Sequence, residues 1–216
     1  LADVVEVALT ESPSVPGIVV AIDSAEHGRI DSARGVADPS TGAPLTPQHA
    51  ARIASCTKTF VASTVLVLAG QGRLQLDQPV AELLAPDVAA LWSRFEHADV
   101  TTVRQLLQHR SGLVDHSTFP EFDAPEATQW TPTTQLAIAV DKPALFAPDE
   151  AFSYSDSGYV LLGQMIEHLT GGSLAAAVRD ELHLDANEYP SIHWEIAEPM
   201  PTGLVRAHQL HFGDDT

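Results

Sequence analysis

One cysteine, Cys56, stands in 216 residues, so no internal disulfide framework can staple this chain, and cysteine usage assigns no redox compartment. Lysine is almost as scarce, with only Lys58 and Lys142. Positive charge as a whole is short: 11 Lys and Arg face 29 Asp and Glu, for a net charge of -18. That balance argues against nucleic-acid binding and against adhesion to anionic membranes, because phosphate and anionic lipid surfaces repel such a chain. The acidic residues are dispersed without a long run, the pattern of a solubilising surface, so charge does not identify a substrate. No hydrophobic run is long enough to span a bilayer. The chain opens at Leu1 without a charged segment followed by an apolar one, the pattern of a protein with no signal peptide or with one already removed. What is present is a hydrophobic share of 44%, enough to bury a core as one domain or as two small lobes.

Periodicity divides the chain into three segments. Over residues 1–50, Leu1 to Leu9 reads as a short amphipathic helix, broken by Pro13-Ser14-Val15-Pro16-Gly17. Ile18 to Ile22 then reads as a buried strand and Arg29 to Val36 as a second, joined through His27-Gly28 as a hairpin. Asp38 to Pro47 reads as a Gly/Pro-rich loop. Two strands and a helix do not close a sheet, since an isolated hairpin leaves its edges unpaired. Residues 51–184 read as a helical lobe. Thr57 to Gln71 carries apolar residues on most faces, the mark of a helix buried all round. Thr102-Val103-Arg104-Gln105 is a capping box opening a helix to about His109, ended by Ser111-Gly112. Ser157 to Leu169 has helical apolar spacing closed by Gly171-Gly172, and a further helix runs from Ser173 to about Leu182. Residues 185–216 read as loop with one short strand near Gly203 to Ala207.

Ser55-Cys56-Thr57-Lys58 sets an amine one helical turn beyond a hydroxyl, at the start of the apolar helix. A serine hydroxyl attacks poorly at neutral pH unless a base removes its proton, and residues three apart on a helix share a face. The same residues also read as an N-capping serine followed by a solvated lysine. Cys56 is a rival nucleophile, although no residue pattern sets a base beside it in preference.

Three elements follow one another in order: Ser55 with Lys58, then Leu106-Leu107-Gln108-His109-Arg110-Ser111-Gly112-Leu113, then Phe152-Ser153-Tyr154-Ser155-Asp156-Ser157-Gly158-Tyr159. Together they resemble the serine β-lactamase and penicillin-binding-protein superfamily, in the branch that holds class C β-lactamases, D-Ala-D-Ala carboxypeptidases, D-aminopeptidases and esterases. The similarity runs from about Val15-Pro16-Gly17 to Gly171 and includes Gly72-Arg73-Leu74-Gln75-Leu76-Asp77. The resemblance implies an α/β lobe plus an all-α lobe, the β-lactamase/transpeptidase-like fold. It implies a serine hydrolase working through an acyl-enzyme on a small peptide, amide, ester or β-lactam substrate, without a cofactor. Ser55 would be the nucleophile, Lys58 would accept or relay its proton, and Tyr154 would protonate the leaving group and activate water. That role demands a neutral lysine or an ionised tyrosine near neutral pH, and a charged lysine beside a tyrosine stabilises phenolate. The Ser55 N–H would supply one oxyanion donor.

The chain departs from the family pattern twice. Where the family has asparagine two residues after the tyrosine, this sequence has Asp156. A carboxylate has no N–H to donate; it favours a protonated Lys58, leaves Tyr154 as the base, and is suited to a cationic substrate group such as a free α-amine. The second departure is the missing Lys-Thr-Gly or His-Thr-Gly strand, since Pro201-Thr202-Gly203 has no basic residue and follows Tyr154 too closely. With the unclosed sheet, this predicts the N-terminal portion of the fold, its later strands supplied by a C-terminal segment or second chain.

Two other function classes stay open. Ten histidines raise a metal-dependent hydrolase, with His208 and His211 or His109 and His116 as pairs, though no His-Glu-x-x-His element occurs. A non-catalytic binding module on the same scaffold is the other, opposed by the joint retention of Ser55, Lys58 and Tyr154. The motif does not choose among peptidase, amidase, β-lactamase and esterase. Nor does it assign a compartment: a cell-wall peptidase would work outside the cytoplasm.

Overall fold

A β-hairpin needs a partner to bury one of its faces, and in the first fifty residues that partner is a helix. The computed structural model describes residues 1–123, 130–185, 187–194 and 197–199. It divides into two units, one formed by Leu1–Ala54 with the described residues from Ser191 onward, the other by Ser55–Pro190.

In the first unit, α1 (Ala2–Glu11) buries Val5 and packs on the hairpin, while Arg34 of the second strand pairs with Glu6 at 3.4 Å. Strand β1 (Gly17–Ser24) runs antiparallel to β2 (Gly28–Asp38), in register from Gly17 opposite Gly35 to Ser24 opposite Gly28. The hairpin thus stands where periodicity put it. The sheet has a third strand, β3 (Ala43–Pro44), pairing with β2 across an irregularity between Val36 and Asp38. The two-strand expectation is corrected here: a two-residue strand containing proline is too short to leave a period and reads as loop. Strand β1 is also not buried. Val19 and Ile22 are more than two-fifths exposed, so an apolar run shows β-propensity without showing what covers it. Among the described residues no strand follows β3; the strand expected near Gly203 to Ala207 lies outside them.

The second unit is helical. Helix α2 (Thr57–Gly70) is followed by α3 (Pro86–Trp92), α4 (Val103–Leu107), α5 (Pro132–Ala139), α6 (Asp156–Thr170) and α7 (Leu174–Glu181). Helix α6 is its centre, packing against α2, α4, α5 and α7. Leu161, Leu162, Met165 and Ile166 are fully buried, and burial of such side chains contributes about 1.5–3 kcal/mol each. The helix begins at Ser155, whose hydroxyl accepts the Gly158 N–H, and stops at Gly171, whose φ of 74° only glycine adopts freely.

Helix α2 corrects the reading of a helix buried all round. Val61, Thr64, Val65 and Leu68 are buried, whereas Leu66 is 53% exposed. A helix apolar on every face shows where it can be buried, and packing selects the face that is. Helices α3 and α5 left little periodicity in seven and eight residues, but both carry proline in the first turn, and Thr131 with Thr134 forms a capping box on α5. The capping box of α4 forms as its sequence predicts, Thr102 Oγ1 accepting the Gln105 N–H and Gln105 Oε1 the Thr102 N–H.

Helix α4 ends earlier than Ser111-Gly112. His109 turns the chain at φ 56°, with Arg110 N–H returning to the Gln105 carbonyl at 2.8 Å. Gly112 instead permits a close approach of two segments. At φ 75° it lies so near the following loop that a Cβ there would sit 1.9 Å from the Phe146 carbonyl oxygen.

Candidate active site

The apolar face of α6 decides where its first turn lies, and that turn lies beside the first turn of α2. Ser55 occupies a 3-10 turn (Ala54–Cys56) that runs directly into α2, and Lys58 is in the helix's first turn. Ala54, just before the serine, has φ 44°, an uncommon conformation for a residue with a Cβ. Across from them, Tyr154 sits in the irregular stretch before α6, and Asp156 is that helix's first residue.

These four sequence-selected residues come together. Tyr154 Oη donates to Ser55 Oγ at 2.8 Å, and Lys58 Nζ donates to the same oxygen at 3.2 Å. Lys58 also donates to Asp156 Oδ1 in a short ion pair, and its Nζ lies 4.8 Å from the centre of the Tyr154 ring. Burial by itself opposes a charge on Lys58, but hydrogen bonds and charge interactions with Asp156 and Tyr154 outweigh it and raise its pKa above the ordinary lysine value. Lys58 is therefore an ammonium in this arrangement.

Cys56 is exposed, and no hydrogen bond among the described residues sets a base at its thiol. An open groove of about 420 Å³ runs from Ser55 and Lys58 past Thr59, Ala62, Ser63 and Leu66, with His109, Tyr154 and Tyr159 as its aromatic side.

Behind the four lies a layer of polar groups to which sequence reasoning assigned no part in holding them. The Asp115 carboxylate, its side chain 10% exposed, accepts the Asp156 N–H through Oδ2 at 3.1 Å and the Ser117 N–H through Oδ1. An acid at the start of α6 also suits the helix dipole. Buried His116 meets Ser157 Oγ twice, through its backbone N–H at 2.9 Å and its Nδ1 at 3.0 Å. His109 Nδ1 accepts the Ser155 N–H at 3.1 Å. Burial lowers the pKa of both imidazoles, and the Lys58 charge adds to it, against the pull of Asp115 and Asp156. Tyr159, whose Oη donates to the Leu107 carbonyl, is pushed up by burial and kept a neutral phenol. Their shared signal in the sequence was membership of the two later motifs or the residues just after them, without a period that assigned each a partner.

His109 and His116, considered above as a metal pair, each direct Nδ1 to a protein group. Among the described residues no three His, Cys, Asp or Glu side chains are grouped to hold a metal. His208 and His211 lie outside the described residues.

The family model described as Beta-lactamase matches residues 3–213. Penicillin-binding protein 4 of Amycolatopsis lactamdurans is 29% identical over 209 residues, covering 96% of this chain and 51% of that protein. Esterase EstB of Burkholderia gladioli is 34% identical over 173 residues, covering 71% of this chain and 41% of the esterase. Among solved structures, the D-amino acid amidase of Ochrobactrum anthropi SV3 in complex with D-phenylalanine superposes with a TM-score of 0.70 at 28% identity, over 83% of this chain and 47% of the amidase. The chain thus spans about half or less of the length of these relatives.

Proposed function

The chain belongs to the Beta-lactamase family, and on that premise we propose that it carries the nucleophile and proton-transfer groups of a serine hydrolase that cleaves a peptide, amide or ester through an acyl-enzyme, with amidase- or peptidase-like preference. The observation that carries this reading is the pair of hydrogen bonds converging on Ser55 Oγ, from Tyr154 at 2.8 Å and Lys58 at 3.2 Å.

In this mechanism the reactive form has Tyr154 as phenolate, its proton released to solvent, so that the bond to Ser55 runs in the reverse sense from the resting one; Ser55 Oγ then forms a bond to the substrate carbonyl carbon while its proton passes to the phenolate oxygen. Lys58, held as an ammonium by Asp156, stabilises the phenolate that takes the proton and is not itself the base, since an ammonium has no lone pair to offer. Tyr154 then gives the proton to the leaving nitrogen or oxygen as the carbonyl bond to it breaks. Water enters by the reverse sequence: Tyr154 takes its proton, the ester to Ser55 breaks, and the serine is restored. The Ser55 N–H, where the chain runs into α2, is the first donor to the oxyanion. No step calls for a cofactor.

Asp156 supports the amidase-like preference. One of its oxygens holds Lys58, and the side chain remains about one-third exposed, which suits it to a free α-ammonium group of the substrate. A scaffold that only binds has no physical need to keep three proton-exchanging groups in one hydrogen-bonded set.

The test is labelling with a fluorescent fluorophosphonate or β-lactam followed by peptide mapping. The label is expected on Ser55 and is expected to vanish in Ser55→Ala; a label that persists there overturns the assignment. For the preference, D-phenylalanine amide and its N-acetylated form are compared in wild type and Asp156→Asn. An unchanged ratio removes Asp156 from substrate recognition.

A further inference from the structure

We infer that His109 is the positioning residue for Tyr154, gripping the chain on both sides of the phenol and stacking on its ring. The inference rests on the proton-transfer role proposed for Tyr154.

Nothing regular holds Tyr154 in place. Residues 151–155 form neither helix nor strand, and Tyr154 is 43% exposed, so packing does not fix its hydroxyl to within the few tenths of an ångström that proton transfer demands. His109 supplies the missing restraint through three contacts. Its carbonyl accepts the Ser153 N–H at 3.0 Å, its Nδ1 accepts the Ser155 N–H at 3.1 Å, and its ring stacks on Tyr154 with centroids 4.4 Å apart and planes 28° apart. The residues before and after the tyrosine are thus both tied to one histidine.

His109 is itself held. It ends α4 in the left-handed conformation, φ 56°, where histidine and asparagine are enriched. That turn puts the carbonyl and the imidazole toward the same segment. The ring also packs against Tyr159, centroids 5.1 Å apart, and meets Phe152 edge-on at 5.9 Å.

As an acceptor, Nδ1 carries no proton, so the grip requires the neutral imidazole with its hydrogen on Nε2. The groups that face the ring are Lys58, Asp156 and Asp115 by charge and Tyr154 and Tyr159 by contact. Burial and Lys58 favour the neutral form; the two carboxylates oppose it.

The test uses three variants of the full chain. His109→Asn keeps an acceptor near the Nδ1 position and tolerates the left-handed turn but loses the ring. His109→Phe keeps a ring and loses the acceptor, and His109→Ala loses both. The maximal rate of fluorophosphonate labelling at Ser55 is expected to fall about 10- to 100-fold in the Phe and Ala variants, with the half-saturating probe concentration unchanged within about twofold. The Asn variant is expected to recover most of the rate. Labelling of His109→Phe at the wild-type rate overturns the inference, as does an Asn variant no better than Ala at equal thermal stability. A second readout is independent of chemistry: the ring 13C resonance of Tyr154, assigned with Tyr154→Phe. It is expected to be single and sharp in wild type and His109→Asn, and shifted or broadened in His109→Phe. If wild type is not labelled at Ser55, the hydrolase reading fails while this resonance still decides the inference; an identical resonance in wild type and His109→Phe ends it.

Discussion

Tyr154 Oη and Ser55 Oγ, 99 positions apart in the chain, lie 2.8 Å from each other, and the next donor to that serine oxygen is an ammonium. Of these two partners only Tyr154, as phenolate, can take the serine proton in the proposed mechanism, and without it the nucleophile has no base among its bonded partners. Tyr154→Phe is therefore expected to slow acylation of Ser55 by about 10²- to 10⁴-fold. Because Tyr154 is 43% exposed, the variant's melting temperature should stay near that of wild type. Single-turnover labelling and a thermal melt check both; a variant acylated within about threefold of the wild-type rate removes Tyr154 from proton transfer.

The ion pair of Lys58 with Asp156 makes stability depend on alkaline pH. The folded-state pKa of Lys58 lies above its ordinary value, so its contribution is fully present below the unfolded-state value and is lost as pH rises through the folded one. Asp156→Asn removes the carboxylate and is expected to lower the melting temperature below about pH 10.5 and to flatten its alkaline fall, so that the two curves converge as pH rises further. Melts of both proteins from about pH 8 to 12 read the convergence. Coincident curves would show that the pair does not hold the lysine charge.

Buried His116 and half-buried His109 act at the other end of the pH scale. His109 and His116 both have folded-state pKa values below the ordinary one, so the unfolded chain takes up protons first as the solution is acidified. Their contribution is complete above about pH 6.5 and is lost as pH falls through the lower folded values. The melting temperature is expected to drop between about pH 7 and 5, with a shallower slope in His116→Asn. An equal slope in the variant would assign the acid dependence to other groups.

Gly112 offers a test of the loop that backs the site. Alanine there would adopt φ 75° with its Cβ 1.9 Å from the Phe146 carbonyl oxygen, and Leu145 N–H is bonded to the Gly112 carbonyl at 2.9 Å. Gly112→Ala is expected to destabilise the protein by roughly 2–4 kcal/mol. Gly72 has a similar φ, 74°, and open space around it, so Gly72→Ala should cost only about 1 kcal/mol. Denaturant unfolding separates the two, and equal losses would refute a steric role for Gly112.

Residues three apart on a helix must share a face, so the hydroxyl of Ser55 and the amine of Lys58 could be paired from the sequence, as could the caps of α4 and the glycine stop of α6. These are local matters, settled within one turn of backbone. Which face of α2 is buried was not local: the helix is apolar nearly all round, and the packing of α6 and α7 chose Val61, Val65 and Leu68 over Leu66. The two-residue strand β3 and the short helices α3 and α5 stood below the length at which a period can be counted.

The sequence by itself determined the cast of the candidate site, because Ser55, Lys58, Tyr154 and Asp156 are chemical types that bear on proton transfer wherever they fall. Only the tertiary structure decided their relations. It paired the Lys58 ammonium with Asp156, and it set His109, a residue the sequence marked only as a motif member or half of a metal pair, against the backbone on either side of Tyr154. Proton transfer and pKa depend on distances of a few ångströms between groups about fifty to a hundred residues apart, and such distances exist only once the helices have packed.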